Sequence, residues 1–175
     1  MHAGDPSSAG PPRDLFVGTE QNTPVDLDVA FNGDVGWVDD TSRELWRWYA
    51  SAGMAARVAS GVSGLSSASD GRDYFFVTGG TLTALSFADG SISPIVGPVT
   101  ATHMALSPTA VYFSTGAPSS TVYRSARGTK AANLLLDTSA TRGQIYAMVA
   151  DDACIYWVTD AAIAGQTTLY AHAAQ

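Results

Sequence analysis

His2, His103 and His172 are the three imidazoles of this 175-residue chain, and Cys154 is its single thiol. No two histidines fall at metal-ligand spacing and no His-Cys cluster exists, which argues against zinc and predicts no metal and no cofactor. Serine is abundant, and spacing alone leaves a Ser-His-Asp arrangement open. There is no Gly-x-Ser-x-Gly elbow, so no catalytic residue is assigned. Acids occur in pairs at Asp39-Asp40 and Asp151-Asp152. Such pairs cap backbone amides in turns or, in loops of the right oxygen spacing, hold calcium; that spacing is missing here. "LWRWYA" sets Trp46 and Trp48 on one strand face, with Arg47 and Tyr49 on the other. The two indoles are read either as packing between sheets or as a stacking platform for a sugar or peptide. Gly79-Gly80 has no Gly-Lys-Ser/Thr after it, so it is a tight turn and not a phosphate loop.

The elements that must position these residues are strands. Only 14% of residues are charged against 46% hydrophobic, and Gly, Ser, Thr and Ala dominate the remainder, the usage of short strands joined by turns. The net charge is -7 and the nine Lys and Arg are scattered singly, so there is no basic stripe for nucleic acid. No apolar run approaches the roughly 20 residues of a membrane span. Residues 1–12, rich in Gly, Pro and Ser, read as a flexible leader: a tether behind a removed signal or anchor, or a cloning remnant. Cys154, inside an apolar segment with no second thiol, reads as a small buried hydrophobe.

An aromatic motif recurs four times: "VGWVDD", "YFFVTG", "VYFSTG" and "IYWVTD". Its anchors Trp37, Phe76, Phe113 and Trp157 are 39, 37 and 44 residues apart, a period typical of propeller blades of four strands each. Six residues before three anchors lies a turn former, Asp70, Ser107 or Asp151; Asn32-Gly33 does this duty in the first unit. A second alternating run follows each anchor, and in three units a Gly turn and a short apolar strand come after it. The prediction is all-β: a single domain over 13–175, with units at about 25–61, 62–99, 100–138 and 144–175. The fourth unit lacks its outer strand, and "RDLFVGTE" at 13–20 is a spare one. Pairing the two would close a four-bladed ring and remove exposed edges. The anchors are expected to be buried between neighbouring blades.

Tyr156-Trp157-Val158-Thr159-Asp160 resembles the Tyr-Trp-Thr-Asp signature of YWTD-type propellers, with one residue inserted. "VADDACIYW" is similar to the lead-in of bacterial extracytoplasmic repeats of that type, and Arg47 and Arg124, each just after an aromatic, resemble its third-strand arginines. The resemblance implies an extracytoplasmic location. That family closes six blades, whereas this chain encodes about four, leaving a small ring, a fragment completed by another copy, or part of a larger propeller.

In the blade register, one channel mouth collects Asp28, Asp39, Asp40, His103, Arg142, Tyr146 and Asp160. This mixed, mostly acidic set predicts a non-catalytic binding scaffold for a protein, a peptide or another copy of the chain. The alternatives are a carbohydrate-binding module using Trp46 and Trp48, and a propeller lyase or lactonase in which His103 and acids transfer protons.

Overall fold

A computed structural model describes residues 24–115, 121–137, 145–160 and 167–174. They form four antiparallel sheets, each a meander in which neighbours in sequence are neighbours in space. Blade one is β1 (Pro24–Val29), β2 (Val35–Asp39), β3 (Glu44–Tyr49) and β4 (Met54–Ser60). Blade two is β5 (Val62–Ser69), β6 (Asp73–Thr78), β7 (Thr81–Ser86) and β8 (Ile92–Val96). Blade three is β9 (Ala101–Leu106), β10 (Ala110–Thr115), β11 (Thr121–Ala126) and β12 (Asn133–Asp137). Blade four has three strands among the described residues: β13 (Ile145–Ala150), β14 (Cys154–Asp160) and β15 (Thr167–Ala173). No helix occurs among the described residues.

The turns follow from their sequences. Asp70 Oδ1 accepts from the Arg72 and Asp73 amides, both at 2.8 Å, and Asp151 Oδ1 accepts from Ala153 at 2.8 Å and Cys154 at 2.7 Å. Ser107 Oγ does the same for Thr109 and Ala110, and Asn32 Oδ1 for Asp34. A short polar side chain thus fixes each first hairpin. Gly79 and Gly80, at φ of 54° and 71°, form the two-residue turn between β6 and β7, where two successive left-handed residues match the twist of the strands.

The blades stack through their second strands. β1, β5, β9 and β13 lie side by side in chain order, so first strands face a common axis. Alternation then sends one side of each blade to its predecessor and the other to its successor. Phe76 packs on blade one with Val38, Leu45, Tyr74 and Phe87. Phe113 packs on blade two with Phe75, Val77 and Leu82, and Trp157 on blade three with Tyr112 and Val122. All four anchors are buried. Three of them stack on an aromatic of the third strand: Trp37 on Trp46, Phe113 on Tyr123 and Trp157 on Tyr170. Gly36 lets blade two approach closely, since a Cβ there would lie 3.0 Å from Tyr74 Cδ2.

Two buried or half-buried arginines, each in an ion pair, tie the blades. Arg47, from β3, pairs with Asp34 through Nε at 2.8 Å and donates to the carbonyls of Ser86 and Phe87 in blade two. Arg127, after β11, pairs with Asp70 of blade two. Cys154 is half-buried and not fully enclosed, because it lies on the side of blade four that faces away from blade three. The expected closing strand, 13–20, lies outside the described residues, as does the leader.

Candidate functional site

The rim where first strands begin and second strands end is set by register: Pro24 pairs with Asp39, Val62 with Thr78, Ala101 with Thr115 and Ile145 with Thr159. Every first strand is irregular at this end. The ladder shifts between Val25 and Asp28, between Val62 and Ser67, opposite Ser114 and Thr115, and between Ile145 and Ala147. A bulge turns a side chain that would join the sheet toward another direction, and here four of them recur at one level of the axis. Asp26, in the first bulge, has φ of 51°, a left-handed backbone that aspartate tolerates better than most residues.

Asp26 is the residue that organises this mouth. Its carbonyl accepts from the Tyr74 hydroxyl at 2.6 Å, and that hydroxyl also lies 2.8 Å from Ser67 Oγ. Burial, with Asp26 and Asp28 nearby, holds the Tyr74 phenol well above its ordinary range, so it stays protonated. Burial, then the Asp26 carboxylate, raises the Asp28 carboxyl. Across the axis in blade three, burial lowers the His103 imidazole, and Asp26 works against that lowering. His103 is therefore a neutral ring at neutral pH, and its buried Nδ1 has no hydrogen-bond partner among the described residues. Thr102, beside it, bonds Ser114 Oγ at 3.1 Å.

Asp28, paired with Gly36, lies toward the opposite end of β1 from this rim, and the other acids expected at the mouth are also placed differently. Asp39 is buried and its Oδ1 accepts from the Thr41 and Ser42 amides at 2.9 and 3.1 Å, while Asp40 turns outward toward Arg43 at 3.7 Å. Tyr146 sits in the fourth bulge, largely exposed. Asp160 ends β14, and Arg142 lies outside the described residues. Asp151-Asp152 stands on the opposite rim, between β13 and β14, as its position in the repeat requires. Trp46 is half-buried, with its indole N–H donating to Glu44 at 3.2 Å, and Trp48 shares its face of blade one, away from the mouth. No group of three or more His, Cys, Asp or Glu among the described residues could hold a metal.

Sequence reading missed Asp26, Ser67 and Tyr74. The "PVDLDV" alternation puts Asp26 and Asp28 on one face of a regular strand, and only the bulge brings their backbone to the Tyr74 hydroxyl. It also missed Phe31 on the far rim. This aromatic takes the place in the repeat where the other blades carry Asp70, Ser107 and Asp151, and it is 79% exposed over Gly71.

No family model matches the sequence, and no curated protein matches it. Solved structures do. A chain of the nidogen/laminin complex superposes with a TM-score of 0.64 at 13% identity, covering 88% of this chain and 66% of that one. Virginiamycin B lyase from Staphylococcus aureus gives 0.59 at 12% identity, over 88% and 57%. The extracellular domain of a one-component system from B. thetaiotaomicron gives 0.60 at 13% identity, over 84% and 20%. The chain thus spans only part of each, from 20% to 66% of their lengths. Together with four sheets stacked about common first strands, these likenesses establish the fold as an all-β propeller built of four-stranded blades.

Proposed function

We propose that this chain is a recognition scaffold whose β1–β5–β9–β13 mouth binds a protein or peptide, built on YWTD-type repeats and working outside the cytoplasm. One observation carries the reading: among the described residues the side chains of His103, near the mouth, and Asp28, further along β1, form no hydrogen bond or ion pair. Other acids have structural partners, Asp39 at the mouth and Asp151 on the opposite rim in turns, and Asp34 and Asp70 in ion pairs. Neighbours of the same fold support it, since one was solved in a nidogen/laminin complex and another in a complex of Nup159, Gle1 and Dbp5. An extracytoplasmic setting draws support from the neighbour named as an extracellular domain. The test is selection from a displayed random-peptide library on the immobilised protein. Peptides that bind the wild type and lose at least tenfold in affinity on Asp28→Asn or His103→Gln support the reading. An absence of selective peptides, or binding indifferent to both variants, overturns it.

A second reading, a lyase, is favoured by one observation: a neutral His103 with an unpartnered Nδ1 and the Asp26 carboxylate within electrostatic reach, the arrangement of a general base. Two neighbours are streptogramin-type lyases, one of them a catalytically inactive histidine-to-alanine form with quinupristin. Turnover of quinupristin by the wild type, abolished by His103→Ala, would move the conclusion to this reading.

A further inference from the structure

Each blade has a leading face, carrying the anchor aromatic, and a trailing face, covered by the next blade. The trailing faces share one register. The residue after each anchor, Val38, Val77, Ser114 or Val158, pairs with Leu45, Leu82, Val122 or Leu169 of the third strand. In the first three blades these third-strand residues are all 0% exposed, because the following blade lies on them. In blade four Leu169 is 69% exposed, and Val149, which pairs with Tyr156 on the same face, is 63% exposed. Tyr156 and Val158 are half-buried where Phe75, Tyr112, Val38 and Val77 are fully enclosed. Among the described residues, blade four therefore presents the core side chains of a blade junction without a following blade over them.

The leading face of blade one is open only in part: its anchor Trp37 is buried, at 7% exposure, but the far end of the face is not. Two residues before the anchors stand Val35, Tyr74, Val111 and Ile155. The last three are buried, whereas Val35 is half-buried and its partner Val29 is 61% exposed. A leading face is what covers every trailing face inside the chain, three times over. Since the blade-four face repeats the internal junctions position for position, and blade one is open at Val29 and Val35, the surface that fits blade four is a blade-one leading face. The chain's own blade one leaves Leu169 and Val149 exposed.

We infer that blade four docks on blade one of a second copy of this chain, continuing the blade series between molecules. The inference is independent of what binds the mouth. Such head-to-tail contact closes into a ring when the rotation allows and otherwise adds copies in line. It also covers an apolar face of a kind that soluble monomers seldom expose.

The test is sedimentation velocity on the 175-residue chain from low to high micromolar concentration. The wild type is expected at two or more times the 18.2 kDa chain mass. Leu169→Lys, which blocks the trailing face, and Val29→Lys, which blocks the leading one, are each expected to sediment as monomers. Both positions are exposed within one chain, so circular dichroism should show unchanged strand content. Mixing the two variants leaves one intact leading and one intact trailing face, and should restore a dimer. A wild type monomeric throughout overturns the inference in favour of closure by its own blade one or of a further blade in a longer chain. Assembly that survives both variants, or a mixture that stays monomeric, overturns it as well.

Discussion

Replacing Asp34 by Asn removes the charge partner of a cation buried between blades one and two. Asp34 and Arg47 are each 4% exposed. Asp34 receives Arg47 through Nε, the Ala50 amide at 2.8 Å and the Asn32 amide group at 3.3 Å. Breaking a buried pair by removing one partner costs about 3–5 kcal/mol, because the remaining charge stays desolvated. Arg47 retains the Ser86 and Phe87 carbonyls and the faces of Tyr49 and Phe87, at 4.5 and 5.2 Å, which offset part of that cost. The expected loss is therefore near the lower end, about 3 kcal/mol. Asp34→Leu with Arg47→Met removes both charges and should recover about half of it, since apolar replacements of such pairs are often neutral. Urea unfolding followed by tryptophan fluorescence, across a double-mutant cycle, reads the coupling. The pair also has a pH signature. Burial opposes ionisation of Asp34, yet the bonds from Ala50 and Arg47 outweigh it and hold its carboxyl below the ordinary 3.8. Its contribution is then complete above 3.8 and is lost as pH falls through the lower folded value. A single-variant loss under about 1 kcal/mol, the size of an ordinary surface change, would refute the assignment of Arg47 as a buried, charge-dependent tie.

Trp157→Ala should cost about 3–5 kcal/mol, read by the same unfolding, because the indole is enclosed against blade three and leaves a cavity. Leu82→Ala should cost about 2–5 kcal/mol, while Leu169→Ala, at the same register in blade four, should change monomer stability by no more than about 0.5 kcal/mol. His103 should titrate below 6.5 in proton NMR, and Asp26→Asn should lower its midpoint further, since that carboxylate favours the protonated ring. Deleting residues 1–12 should leave the thermal melt unchanged, whereas deleting 1–20 should broaden it or shift the mass upward if 13–20 supplies an outer strand.

The blades were legible because their signals are local and repeated. Anchors at a fixed register, a capping Asp or Ser six residues earlier and a Gly-Gly turn each act within a few residues of themselves, so spacing alone located the strands. The mouth was only partly legible. His103, opposite Ser114, lies near the expected rim, but Asp28 pairs with Gly36 toward the other end of its strand and Asp39 is consumed by the amides of Thr41 and Ser42, and no pattern distinguishes a capping aspartate from a waiting one. Asp26 escaped because its role comes from a bulge, and a bulge is decided by how two strands fit. Asp34 and Asp70 escaped for a related reason, as their partners Arg47 and Arg127 meet them only when separate strands or blades come together.

The polar ties also divide the molecule unevenly. Blade one is bound to blade two by Arg47 and by the bond from the Phe31 amide to the Gly71 carbonyl, and blade three to blade two by Arg127. Among the described residues no ion pair joins blade three to blade four. Arg124, the counterpart of Arg47, has Ala110 at the repeat position where Arg47 has Asp34, and its buried Nε has no partner among the described residues. The third junction therefore rests on apolar contact, chiefly Trp157 and Ile155 against Tyr112 and Val122. Apolar contact has no preferred direction, so it tolerates small rotations that a directional charge-assisted hydrogen bond resists. Asp26, Asp28, Tyr74 and His103 all belong to the three tied blades, which keeps their geometry fixed, while Tyr146 belongs to the blade that can shift. On the proposed reading, a ligand would thus meet His103 on a tied blade and Tyr146 on the blade held chiefly by apolar contact.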